Sequence, residues 1–196
     1  MHLIDRKAFI QKLRLVPLRN SNIRPYRNAF ITLGRFDPAF FSPCQRYVLS
    51  GQLQALEYLR WDYLRPHRLG KDIFSIDGYI EANDFGDFGT AQDVLPIIIE
   101  EVLVNGKIQQ IICDGQHRSF LALQTHRLVM AAYIRGASPA YYAYPLRNGW
   151  DDVEIIDEIP QKYIKKFHRT MDYKENFRDF TRVFNNGSVS RSRAIE

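Results

Sequence analysis

The stretch Pro96–Ile134, PIIIEEVLVNGKIQQIICDGQHRSFLALQTHRLVMAAYI, constrains the fold more than any other part of the chain. Two apolar, β-branched runs, PIIIEEVLV and KIQQIIC, flank Asn105-Gly106, and both of these residues tolerate the positive φ of a type I′ turn, which makes the segment a predicted hairpin. The second run stops at five polar or backbone-active residues, Asp114-Gly115-Gln116-His117-Arg118. RSFLALQTH then reads as a helix and LVMAAYI as a strand. Hairpin, polar turn, helix and strand in that order predict an α/β fold with a mixed sheet.

The flanking segments read less sharply. DRKAFIQKLRLV places Phe9, Ile10, Leu13 and Val16 at helical spacing, ended by Pro17, and AFITLGRF reads as a short strand. Ser42-Pro43 has the form of a helix start, a serine cap before proline at the first helical position, so the spacing predicts a long helix from there to about Tyr63. The segment Ile73–Asp93 is acidic and glycine-punctuated and reads as a long, functional loop carrying Asp77, Glu81, Asp84 and Asp87. In the tail, Tyr163, Phe167, Phe177, Phe180 and Phe184 fall at roughly helical spacing, which predicts a packed helix pair, and the last ten residues read as frayed. The divisions expected are 1–70 as an N-terminal extension, 71–145 as the core and 146–196 as a basic C-terminal extension.

Charge is distributed unevenly over the 196 residues. Residues 1–30 carry a net +6, residues 161–196 a net +5, and the middle a net −6. Basic ends favour anionic partners. Cys44 and Cys113 stand far apart in no paired spacing, which argues against a disulfide scaffold and a zinc knuckle. Asp5, Arg6, Lys7 and Lys12 interrupt the first apolar residues, and no later run approaches transmembrane length, so the expectation is a cytoplasmic protein without a membrane partner. His67, His126 and His168 are isolated and have no ligand spacing.

The turn Asp114–Arg118 is the best candidate site. The first N–H groups of a helix lack intrahelical partners and lie at the positive end of its dipole, so a strand-to-helix turn of this kind seats an anion, phosphate above all. Gly115 allows close backbone approach, Arg118 offers a planar fork, His117 adds a donor, and Asp114 either caps the helix or holds a Mg²⁺ bridging phosphate oxygens. A plain capped corner would use the same residues.

DGQHR between a strand and a helix resembles the Asp-Gly-x-His-Arg signature of the ParB/sulfiredoxin-like superfamily, and the order of elements over Pro96–Ile134 follows that domain. The resemblance implies a compact ParB/sulfiredoxin-like mixed-sheet domain, here with extra N- and C-terminal helices. It also implies a nucleotide, ATP or ADP with CTP as a further candidate, whose phosphates rest on Gly115, Gln116, His117 and Arg118, with Mg²⁺ at Asp114. Sulfiredoxins carry a cysteine where this chain has Gln116, so their nucleophile is missing. Partitioning proteins carry Gly-Glu-Arg-Arg at the turn and a helix-turn-helix region after it, whereas GASPAYYAYPLRNGWDDVEIIDE follows here. The motif form is most similar to the free-serine kinases, although the alanine usual three residues after the arginine is Leu121, with Ala122 next.

Two functions are therefore expected. The first is a phosphotransferase, an ATP- or ADP-dependent kinase of a small hydroxylated metabolite, with Asp114 and His117 catalytic and Glu81, Asp84 or Asp87 as the base. The alternative is a nucleic-acid-binding protein or nuclease with a nucleotide switch, contacting phosphates through Lys165, Lys166, Arg169, Arg178 and Arg182 and stacking bases on Tyr163 or Phe167.

Overall fold

A computed structural model of the chain describes residues 2–60, 72–81, 93–162 and 164–184. The expected central unit is present: β5 (Ile97–Val104), β6 (Lys107–Asp114), α3 (Gln116–Gln124) and β7 (Val129–Arg135). Asn105 and Gly106 adopt φ of 50° and 75°, the left-handed pair that a type I′ hairpin needs. β2 (Phe30–Phe36) joins the same sheet, giving the order β2-β7-β5-β6. β7 runs antiparallel to β2 and parallel to β5, and β5 antiparallel to β6, so the sheet is mixed.

Burial on both faces explains why β5 and β7 are apolar almost throughout rather than alternating. Ile98, Val102, Met130, Ala132 and Ile134 face one core with Phe9 and Leu13 of α1 (Arg6–Leu13). Ile97, Ile99, Val129 and Ala131 face a second core with Leu121 and Ala122 of α3. α1 starts as its sequence implies, with the Asp5 carboxylate accepting from the Ala8 N–H at 2.8 Å. Two small sheets complete the fold: β1 (His2–Ile4) antiparallel to β4 (Tyr79–Glu81), and β3 (Tyr47–Leu49) parallel to β8 (Glu154–Ile156).

Three expectations need correction. The helix expected from Ser42 begins at Ser50 as α2 (Ser50–Tyr58), and Val48 lies in a strand. Ser42 is extended because it bonds the edge of β6: its N–H donates to Gln110 O at 2.8 Å, and Ile112 N–H donates back to it at 3.2 Å. Proline suits such an edge as well as it suits a helix start. The acidic segment is not simply a loop either. Ile73, Phe74 and Ile76 are buried, and Ile80 pairs with Val94 through bonds of 3.0 and 2.9 Å. Finally, the tail forms no helix pair among its described residues; it runs as turns ending in a 3-10 turn at Phe180–Arg182. Phe180 and Phe184 are core residues all the same, in one cluster with Phe9, Phe177 packs against that core partly buried, and Phe167 is exposed.

The tail is held by charge. Glu100, fully buried on β5, accepts from Arg178 Nε at 2.8 Å and Nη2 at 2.9 Å, and from the Tyr26 hydroxyl at 2.7 Å. Burial opposes the Arg178 charge, but Glu100 outweighs it and raises the guanidinium above its ordinary value. Burial, followed by the Glu100 charge, likewise pushes the Tyr26 hydroxyl well up. Removing one member of such a pair strands the other, at about 3–5 kcal/mol, whereas replacing both by apolar groups of similar volume is often neutral. Urea denaturation is therefore expected to show Glu100→Ala destabilised by about that amount, and Glu100→Leu/Arg178→Met less so, keeping the cost of about 1–3 kcal/mol for the stranded Tyr26 hydroxyl. A double variant as unstable as Glu100→Ala would contradict this account.

Candidate functional site

The polar turn sits where β6 leaves the sheet and α3 begins. A bulge shapes it: Ile99 lies opposite Ile112, but Ile98 lies opposite Asp114, so Cys113 is the extra residue. Bulges of this kind bend a strand and re-aim the side chains beyond it. Cys113 itself is buried, and burial pushes its thiol well above the ordinary range, so it is a packed residue rather than a nucleophile.

Gly115 is the N-cap of α3, with φ 88° and no side-chain cap. A β-carbon there would lie 3.0 Å from Arg118 Nη2 and 3.2 Å from Ile97 Cδ1, so glycine is required both by conformation and by close packing. The backbone N–H groups at the start of the helix thus face a corner without a capping oxygen from a side chain, the physical requirement of an anion seat.

The side chains of the motif are engaged by the protein itself. Gln116 is buried; its Oε1 accepts from Gln45 N–H at 3.0 Å, while its Nε2 donates to Gln45 O. His117 Nε2 accepts from Leu49 N–H at 3.1 Å, which in the neutral imidazole puts the proton on Nδ1. Arg118 is buried, donates to the Leu95 carbonyl and stands 3.6 Å from the Asp114 carboxylate. Burial lowers the Arg118 pKa from its ordinary value, with the Asp114 charge acting in the opposite sense. Asp114 and Arg118 therefore form a pair inside the turn, and Gln116 and His117 clamp Gln45–Leu49 against the first turn of α3.

Among the described residues, the structure does not bring the remaining candidates to this corner. Glu81 follows Ile80, whose side chain joins the core on the α3 side, and so shares the opposite face with Tyr79. There its carboxylate accepts from Lys12 Nζ at 3.1 Å and from the Tyr79 hydroxyl at 2.6 Å. Asp84 and Asp87 lie outside the described residues, as do His67 and Tyr163. Of the tail cations, Arg178 is spent on Glu100, and Lys166 is buried with its ammonium donating to the hydroxyls of Tyr141 and Tyr142 at 2.7 and 2.9 Å. His168 stacks on Tyr173 with ring centroids 3.4 Å apart. Trp150 donates to Pro38 O at 2.9 Å and packs near Phe120, so it braces α3 rather than bordering a pocket.

A Mg²⁺ ion bound with phosphates needs one or two carboxylates free to face it. The turn has one, Asp114, and a guanidinium stands 3.6 Å from it; among the described residues no group of three or more Asp, Glu, His or Cys side chains could hold a metal ion. Within the turn, Asp114 would be the residue to hold such an ion. Sequence reasoning found the turn but not Gln45, Leu49 and Leu95, its partners from distant segments. The Ser42-Pro43 signal had assigned Gln45 and Leu49 to a helix.

The family model described as the ParB CE domain matches residues 8–154. No curated protein and no solved structure matches the chain. No described helix is long and apolar enough to cross a membrane.

Gly106 and Gly115 both need positive φ, but only Gly115 has neighbours within 4 Å of where a β-carbon would stand. Gly106→Ala is expected to cost the roughly 1–2 kcal/mol of left-handed strain alone. Gly115→Ala is expected to cost measurably more by chemical denaturation, because Arg118 or Ile97 must also move. Equal costs would mean that the corner has room to spare.

Proposed function

The chain belongs to the ParB CE domain family, and on that footing we propose that it binds a nucleotide, ATP or ADP, by its phosphates at Asp114–Arg118 and transfers phosphate to a small hydroxylated acceptor. The observation that carries this reading is the glycine-capped start of α3, with a guanidinium and a carboxylate paired 3.6 Å apart inside the same turn.

In this reading the phosphates rest on the first backbone N–H groups of α3, where the helix dipole favours negative charge. Arg118 exchanges the Leu95 carbonyl and Asp114 for phosphate oxygens, which suit its planar fork better. His117, accepting from Leu49 N–H at Nε2, holds the first turn of α3 in place beneath the phosphates. The acceptor hydroxyl oxygen forms a bond to the terminal phosphorus, the bond from that phosphorus to the nucleotide oxygen breaks, and the hydroxyl proton passes to Asp114 once Arg118 has left it. Phosphoryl transfer asks mainly for positioning and charge stabilisation, and these residues supply both. Glu81 takes no part, since Lys12 and Tyr79 hold it on the other face. No step passes through a metal ion.

Calorimetric titration with ATP, ADP and CTP is expected to show purine-nucleotide binding that weakens at least tenfold in Arg118→Ala, while circular dichroism reports the variant as folded. Loss of nucleotide phosphate to small hydroxylated acceptors should in turn disappear in Asp114→Asn. If none of the three nucleotides binds the wild type, the reading fails and the turn is a packed corner. Oligonucleotide binding that collapses with salt would instead favour a nucleic-acid-binding protein with a nucleotide switch.

A further inference from the structure

Among the described residues, the basic ends noted in the sequence take no part in the α3 turn. They meet each other instead. Leu18 pairs with Arg178, Arg19 N–H donates to Phe177 O at 2.8 Å, and Asp179 N–H donates to Pro17 O at 2.8 Å. This pairing lays the loop after α1 against the 3-10 turn Phe180–Arg182. Between them is a cavity of about 370 Å³, into which Lys12, Arg24, Arg182 and Asn22 bring polar groups.

Each cation arrives from a different place and none of the cavity's lining residues is acidic. Lys12 Nζ donates to the Tyr79 hydroxyl at 2.5 Å and to Glu81 at 3.1 Å, which fixes the ammonium and leaves it a third donor. Burial works against its charge, but those bonds outweigh it and hold the Lys12 pKa above its ordinary value. Arg182 spends Nη1 on the Ser21 carbonyl at 3.2 Å. Arg24 has no side-chain hydrogen bond or ion pair among the described residues. Glu81 already balances the Lys12 charge, so Arg24 and Arg182 are the two cations whose charge an anion in the cavity would compensate, with Lys12 as a further donor.

We infer that this cavity is a second anion site, separate from the α3 turn, that takes a small phosphorylated molecule. Its volume lies in the range of small-molecule sites, and Leu15 and Val183 give it an apolar wall for the part of the ligand that is not phosphate. A nucleic-acid backbone is the poorer fit, because it asks for cations spread along a stripe, whereas these line one cavity and the middle of the chain is acidic. The fixed ammonium of Lys12 and the bidentate forks of Arg24 and Arg182 match a phosphate group with two or more anionic oxygens. The inference does not depend on the α3 turn binding anything, since the two sites share no residue.

Inorganic pyrophosphate titrated calorimetrically into the full chain at constant ionic strength tests it. Saturable binding is expected in the wild type and in Arg118→Ala, and at least a tenfold weaker constant in Arg24→Ala/Arg182→Ala, both constants being compared in the Arg118→Ala background. Both arginines are exposed, so that double variant should keep the wild-type melting temperature. Absence of saturable binding to the wild type, or an unchanged constant in the double variant, overturns the inference. Loss of binding only in Arg118→Ala would assign all of it to the α3 turn, with the same consequence. A single-stranded oligonucleotide held more tightly than pyrophosphate through Arg24 and Arg182 would make the partner a polymer and overturn the small-molecule assignment.

Discussion

The bidentate pair between Glu100 and Arg178 is the constraint on which the arrangement of the chain depends. A carboxylate without exposure on a central strand is tolerable only with a cation and further donors around it. Arg178 and Tyr26 supply them from opposite ends of the sequence, 78 and 74 residues away. The sheet therefore cannot be completed as a low-energy structure until the loop after α1 and the tail have both come to rest on it. This explains how a tail whose described residues form no regular helix keeps a fixed course: Arg178 anchors it by charge, Phe180 follows into the core beside Tyr26, and Phe184 beside Phe9 and Tyr79.

What could be read beforehand was what local chemistry decides. The Asn105-Gly106 hairpin, the helix after the turn and the strand behind it follow from turn residues and periodicity, and they stand where those signals place them. What could not be read was decided by long-range pairing. Ser42-Pro43 carries a genuine helix-start signal, but the backbone of β6 offered Ser42 a ladder partner and the segment became extended. The tail's phenylalanines have helical spacing, yet separate long-range contacts rather than a regular helix hold them: Phe184 against Phe9, Phe180 against Tyr26 and Phe177 against Tyr142.

The candidate site shows the same division. Its position was legible, because a glycine and polar residues between a strand and a helix are a local pattern. The roles of its side chains were not, because Gln45, Leu49 and Leu95, which engage Gln116, His117 and Arg118, lie far off in sequence. Glu81 illustrates the converse. Read along the chain it is one acid in an acidic run, but strand alternation sends it to the face away from α3, where it orders Lys12 beside a different cavity.

The clamp on Gln45–Leu49 ties the motif to more than its own helix. Gln116 and His117 grip the backbone just before Ser50, where α2 begins, and the same short segment carries β3, which pairs with β8 more than a hundred residues downstream. The first turn of α3 is thus the fulcrum of a lever whose arms are α2 and the β3–β8 ribbon. The two arms are joined to that turn through the backbone groups of Gln45 and Leu49, held by the side chains of Gln116 and His117.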